Sequence, residues 1–167
     1  MSSGSTTGSG STIGSGSTTA AVVRPIAPGD REAWTALYRG YRDFYAKPHE
    51  ERVYETVWGW LMDEGHQTRG LIAEVDGAPV GIGHYRTFAR PIDGGSGIYL
   101  DDLFTSPESR GSGAGSAILT RLAEIARDEG ASLVRWITAD SNATARSLYD
   151  RVAKQTPWVT YDLAPAE

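Results

Sequence analysis

The sequence predicts an α/β domain built on a mixed, mostly antiparallel central sheet flanked by helices. Three observations carry that prediction. Strand-like and helix-like segments alternate along residues 21–163. Two neighbouring apolar runs are joined by Asp76-Gly77, a dipeptide suited to a tight hairpin, so the middle of the sheet is an antiparallel meander. A glycine-dense stretch, SPESRGSGAGS (106–116), sits between a strand and a helix, yet its spacing is not that of a doubly wound nucleotide-binding fold.

The elements follow in order. AVVRPIA (21–27) reads as a short strand ended by Pro28-Gly29, and Asp30 is placed to cap the helix REAWTALYRGYRDFYA. On that helix Trp34, Leu37, Tyr38, Tyr41, Phe44 and Tyr45 keep the i, i+3, i+4, i+7 spacing of one face. Pro48 separates it from a second helix, EERVYETVWGWLMDE, and the hairpin strands GLIAEVD and PVGIGHYRTFA come next. A loop with Gly94 and Gly95 leads into GIYLDDLFT. The helix AILTRLAEIARDEG follows the glycine stretch and closes at Gly130 as its C-cap. SLVRWITA is the next strand, NATARSLYDRVA the next helix and WVTYDL the last strand, which makes the order β-α-α-β-β-β-α-β-α-β.

Composition narrows the function. The chain has 167 residues and a formal charge of −5, from 21 acidic against 16 basic residues. That length suits one domain with a core of its own, and the acidic balance argues against a nucleic-acid binder while suiting a cationic small molecule or basic peptide. Residues 1–20 hold neither charge nor aromatic ring and are built from GSTTGS, GSTIGS and GSTTAA, starting at Gly4, Gly10 and Gly16. Such a composition cannot bury enough apolar surface to offset chain entropy, so it reads as a flexible tail or linker before a domain at 21–167. No signal peptide is visible, and no segment approaches the roughly 20 apolar residues that span a bilayer. Cysteine is absent, which excludes disulfides, thiolate metal sites and a cysteine nucleophile and fits a cytoplasmic protein. His49, His66 and His84 lack ligand spacing and read as structural or solvent-exposed, so no metal is expected.

The glycine stretch needs a ligand. A Rossmann fingerprint would place its third glycine one position later, and a Walker loop would need a lysine after Gly115. What remains is strand, Arg110-x-x-Gly113-x-Gly115, helix. Small residues there leave successive N–H groups aimed at one spot before a helix N-terminus, a site for phosphate or pyrophosphate that Arg110 reinforces. A plain flexible loop is the alternative reading of the same composition.

IYLDDLFTSPESRGSGAGSAIL resembles the acetyl-coenzyme A motif of the GNAT N-acetyltransferase superfamily, whose core Q/R-x-x-G-x-G/A is met by Arg110, Gly113 and Gly115. RWITADSNATARSLYDRVAK is similar to the family's later strand-helix pair, and the whole most resembles the branch that acetylates polyamines and histone tails. The resemblance implies a GNAT-like sheet and direct transfer of an acetyl group from acetyl-coenzyme A to a primary amine. The acceptor would be a small cationic molecule, polyamine or lysine-like, or a peptide. It also implies cofactor contacts from Leu103, Phe104 and Thr105, with the Leu103 N–H polarising the thioester carbonyl where a bulge interrupts the strand. Gly111, Ser112, Gly113, Ala114, Gly115 and Ser116 would cradle the pyrophosphate with Arg110, and Asn142 and Tyr149 would reach the thiol end.

An ammonium with pKa about 10.4 must lose its proton, at a cost of roughly 4.6 kcal/mol at pH 7. Adjacent acids in an apolar strand need a reason, and in a regular strand Asp101 and Asp102 point to opposite faces. We assign Asp102 as base or relay and Asp101 as the charge that holds the cation. Tyr149 matches the family's general acid and lies two helical turns from Asn142. Tyr38, Tyr41, Tyr45, Trp58 and Trp60, with Glu50 and Glu51, fall where the family walls its acceptor pocket, though core packing accounts for aromatics there as well. A coenzyme A sensor without transfer, or a protein-interaction domain, is the competing function, and the family's frequent dimers make a homodimer the expected assembly.

Overall fold

The computed structural model describes residues 20–166. It holds β1 (Val22–Pro25), α1 (Arg31–Phe44), α2 (Glu51–Met62), β2 (Arg69–Val75) and β3 (Ala78–Arg90) in the first half. The second half holds β4 (Gly95–Thr105), α3 (Ala114–Asp128), β5 (Val134–Arg135) and α4 (Ala143–Val152). The sheet order is β1-β2-β3-β4-β5, antiparallel throughout except for the parallel β4–β5 pair. The mixed, mostly antiparallel sheet expected from the sequence is therefore present. The tail expected at residues 1–20 lies, except for Ala20, outside the described residues.

The hairpin forms where Asp76-Gly77 places it. Both residues have positive φ, 52° and 76°, as a two-residue turn matched to the strand twist requires. Side chains then alternate across the sheet. Leu71, Ile98 and Leu100 pack with Ile118 and Leu122 of α3, while Ile72, Ile82 and Phe104 pack with Trp34, Tyr54 and Trp58 of α1 and α2. Each of these fully buried side chains contributes about 1.5–3 kcal/mol of hydrophobic stabilisation.

One irregularity organises the site. Tyr85 pairs with Leu100 and His84 pairs with Asp102, so Asp101 is an extra residue in β4. The bulge reverses the strand's phase: Leu100 faces α3, but Phe104, four residues on, faces α1 and α2. It also sets where β4 and β5 separate. Their pairing covers Ile98 with Val134 and Tyr99 with Arg135 and then ends.

Four expectations need correction. SLVRWITA forms only the two-residue β5, because β4 diverges from it at the bulge and leaves residues 136–139 without a ladder. WVTYDL is not a strand: residues 154–166 carry no regular structure, and Trp158, Tyr161 and Leu163 are 79%, 88% and 97% exposed. Its alternating pattern is strand-like, but a strand forms only against a neighbouring edge that takes its backbone groups. Asp30 ends a short 3₁₀ turn instead of capping α1 through its side chain. Its carboxylate accepts from the Ala27 N–H at 2.7 Å and from both terminal nitrogens of Arg24 at 2.6 and 2.8 Å. Finally, α3 begins at Ala114, ahead of its apolar run, so Gly115 lies inside its first turn.

Candidate active site

The divergence of β4 from β5 opens a cavity of about 440 Å³. Residues 103–105 of β4 line one side, Trp136, Ile137 and Thr138 beyond β5 line the other, and the first turn of α3 and the inner face of α4 close it. Tyr41, Phe44 and Tyr45 of α1 stand at one end. Of the residues singled out from the sequence, 101, 103–105, 110, 111, 113–116, 142 and 149 all border this space, whereas Asp102 and Ser112 do not.

The glycines there have separate reasons. Gly111 and Gly113 have φ of 84° and 86°, a left-handed backbone that other residues enter only with strain. Gly113 in that conformation is the N-cap of α3, so the chain turns sharply and aims the helix's unpaired first-turn N–H groups at the cavity. Gly115 packs beneath α4: a Cβ there would lie 3.4 Å from Leu148, in ordinary contact. The Ser112 hydroxyl is buried without a hydrogen-bond partner. Left-handed glycines, helix N–H groups and the Arg110 guanidinium form a donor set suited to a diphosphate. Beyond Tyr99 the β5-facing edge of β4 has no strand partner among the described residues, so residues 101–105 keep backbone groups available to an extended ligand.

The two aspartates lie in different surroundings. Asp101 lines the cavity and pairs with Arg86, whose Nε is 3.2 Å from Oδ2. Burial raises its carboxyl above the usual range, and Arg86 offsets this only in part. Asp102 turns the other way, and its Oδ2 lies 2.8 Å from His84 Nδ1. Burial pushes that carboxyl up as well, but the His84 imidazole beside it outweighs this and holds Asp102 below the ordinary value. The two carboxylates face opposite ways, as expected from the sequence, with Asp101 on the cavity side.

On α4, Asn142 is the N-cap. Its Oδ1 accepts from the Ala145 N–H at 3.3 Å, and its Nδ2 donates to Thr138. Tyr149 reaches the same cavity from two turns along, as the seven-residue spacing predicts. Burial, with a contribution from Tyr45, raises its phenol to about 12, so it carries its proton across the whole working range. Among the aromatics named from the sequence, Tyr41 and Tyr45 border the cavity, Tyr38 and Trp58 belong to the core, and Trp60 stacks on His66 away from it. Glu50 pairs with Arg52. Sequence reasoning missed Trp136, Ile137 and Thr138 as a wall, because it extended their strand, and it missed the partnership of His84 with Asp102. The only signal for that pair was the cross-strand register, which the bulge conceals.

Comparison with known proteins agrees with this geometry. The sequence profile of the Acetyltransferase (GNAT) family matches residues 34–153. The chain is 28% identical over 142 residues to the D-amino-acid N-acetyltransferase HPA3 of Saccharomyces cerevisiae, covering 84% of this chain and 88% of that one. It is 38% identical over 105 residues to the thialysine N-epsilon-acetyltransferase of Bos taurus, where the match spans 58% of each protein. The solved aminoglycoside N-acetyltransferase AAC(6')-Iy in complex with CoA superposes with a TM-score of 0.73 at 14% identity, over 87% of this chain and 95% of that one.

Proposed function

The chain belongs to the GNAT acetyltransferase family and takes its acetyl group from acetyl-coenzyme A, and we propose that its acceptor is the primary amine of a small cationic molecule, polyamine or lysine-like. One observation carries this reading: Asp101, Tyr41, Tyr45 and Tyr149 converge on one groove with the glycine stretch at its other side. A carboxylate among aromatic faces suits an ammonium group. The bovine relative supports the same class, since its name specifies the ε-nitrogen of thialysine, while the yeast relative's name specifies D-amino acids, small amines of another kind.

Each residue then has a task. Residues 111–116 and Arg110 hold the diphosphate, and the backbone of residues 103–105 holds the arm that follows it, with the Leu103 N–H directed at the thioester carbonyl. Asn142 shapes the thiol end. Bound there, acetyl-coenzyme A supplies a carbonyl carbon open to an amine. A C–N bond forms, the C–S bond breaks, the amine's proton leaves to a carboxylate and the Tyr149 O–H protonates the departing sulfur. The environments support Asp101 as the proton acceptor and Asp102 as the fixed negative charge, the reverse of the assignment made from the sequence. A raised carboxyl is the better base near neutral pH, whereas a depressed one stays ionised.

The test is thiol release from acetyl-coenzyme A over a panel of polyamines, lysine-like amino acids and lysine-bearing peptides. Turnover on the small cationic amines is expected. Turnover confined to peptides, or none above background hydrolysis on any amine, contradicts the reading.

The homodimer belongs to this proposal too. Its support is the exposed, strand-patterned segment carrying Trp158, Val159, Tyr161 and Leu163 together with the unpaired outer edge of β5. Among the described residues each copy has both an open sheet edge and a strand-patterned segment with no edge to join, the two halves of a reciprocal exchange.

A further inference from the structure

Arg86, Tyr99 and Arg135 form one row across the sheet: Arg86 of β3 pairs with Tyr99 of β4, and Tyr99 pairs with Arg135 of β5. Directly paired residues project to the same face, so the two arginines flank Tyr99, their backbones about 10 Å apart. The next row on that face holds Phe88 and Gly97. A Cβ at Gly97 would lie 2.7 Å from the Phe88 ring, so glycine there lets the ring lie across β4. The Arg86 guanidinium sits 4.8 Å from the centre of the Tyr99 ring, and that of Arg135 sits 5.9 Å from the Phe88 ring. The two rings meet edge to face. Together they make an aromatic platform that carries two cations.

The charges on this platform are incompletely matched. Arg90, next along the same face of β3, donates to Asp93 at 2.6 Å. Arg86 meets Asp101 through Nε alone, at 3.2 Å, and its two terminal nitrogens have no hydrogen-bond partner among the described residues. Among those residues Arg135 has no ion pair and no side-chain hydrogen bond, and its contact is the Phe88 ring. The Arg86 side chain is 33% exposed, so it is partly desolvated and still open to a ligand. Asp101 lines the groove and touches Arg86, so the platform begins where the place assigned to the amine ends.

We propose that Arg86 and Arg135 bind a carboxylate carried by the acceptor, which makes the acceptor an amino acid and excludes a polyamine. A second ammonium on the acceptor would meet two guanidiniums that lack counter-charges, and like charges repel. A carboxylate would instead meet the free fork of Arg86, with Arg135 adding attraction, in the geometry that guanidinium donors favour. It would also offset the repulsion between Arg86 and an ammonium held at Asp101. Arg86 and Arg135 are thus specificity residues that touch the end of the substrate remote from the reacting nitrogen. The inference deepens the amine reading and rests on it for the position of the ammonium, though not for the charge of the platform.

Two measurements test it separately. The first compares acceptors that differ only in the carboxylate: lysine against 1,5-diaminopentane, and ornithine against 1,4-diaminobutane. In wild type kcat/KM is expected to favour each amino acid over its diamine by about tenfold or more, the equivalent of one charge-assisted hydrogen bond. Arg86→Gln brings that ratio close to one. Arg135→Gln, at a residue with no contact to Asp101, lowers it as well, so the loss cannot come from a disturbed Asp101 alone. A wild-type ratio at or below one overturns the proposal, as does a ratio that both substitutions leave unchanged. The second measurement needs no activity. Nitrogen NMR of the arginine Nε groups follows a titration with N-acetylglycine, a carboxylate without an amine, and with its neutral amide. Signals that vanish in Arg86→Gln and Arg135→Gln identify the two residues. The acid is expected to shift both and the amide neither; equal responses to acid and amide, or none, overturn the proposal. If no amine is a substrate at all, the functional reading fails while the titration still decides whether the platform takes a carboxylate.

Discussion

The rings of Trp136 and Tyr149 meet edge to face, with centroids 5.2 Å apart and planes inclined at 63°. Trp136 belongs to the segment that leaves β4 at the bulge, and Tyr149 to the helix that follows, so this contact sets the phenol relative to the opened sheet. Tyr149→Phe preserves the ring packing and removes only the proton donor. Turnover falls by about a hundredfold or more, within the range for loss of a general acid, while calorimetry shows coenzyme A affinity within about twofold of wild type. An unchanged kcat removes Tyr149 from the mechanism.

The aspartates separate by kinetics. Asp101→Asn lowers kcat, because it removes the raised carboxyl that accepts the proton. In wild type, activity falls as pH drops and Asp101 protonates, and that acidic limb lies above the ordinary carboxylate range; in Asp101→Asn it disappears. Asp102→Asn leaves the limb in place and raises the amine KM instead. Identical pH profiles for the two variants would contradict the division of roles.

Gly113→Ala tests the anion cradle. The φ of 86° disfavours any side chain, by roughly 1–2 kcal/mol, and no atom crowds the position. The backbone turn, and not a steric clash, is what the substitution disturbs. Calorimetry is expected to show weaker coenzyme A binding with the fold retained, and intact affinity would move the diphosphate elsewhere.

Much of this was legible before the structure. The hairpin, the four helices and the glycine stretch rest on local signals, namely positive-φ turn residues, one-face periodicity and a helix N-terminus, and each stands close to where its residues put it. The β5 boundary, the exposed 154–166 segment and the environments of Asp101 and Asp102 were not legible. The first and the last depend on one extra residue in β4, Asp101, whose effect is felt on a neighbouring strand and where Asp102 meets His84, eighteen positions away in sequence; the 154–166 segment has no edge to pair with among the described residues. Periodicity reports which face a residue prefers, and it is silent about where two strands part.

Stability carries its own prediction. Hydrogen bonds from Arg24 hold the Asp30 carboxyl below its ordinary value. A depressed carboxyl contributes stability above its unfolded pKa and loses that contribution as pH falls through the folded one. Asp30→Asn therefore costs about 1–3 kcal/mol at neutral pH, and the two proteins converge in stability only at an acidic pH below the depressed folded value of Asp30. Denaturant titrations at the two pH values check it.

The assembly is open to a covalent test, because the chain has no cysteine of its own. With Ile137→Cys and Val159→Cys together, oxidation is expected to give a dimer-sized, reducible product. A monomer-sized crosslink, or light scattering that finds the unmodified protein monomeric, contradicts the exchange of the 158–163 segment.

A crystal soaked with acetyl-coenzyme A tests the central claim most directly. The account predicts diphosphate density against the N–H groups of residues 111–116, with the thioester lying between Asp101 and the Tyr149 hydroxyl. Density for the cofactor at any other surface, with that loop bare, would contradict it.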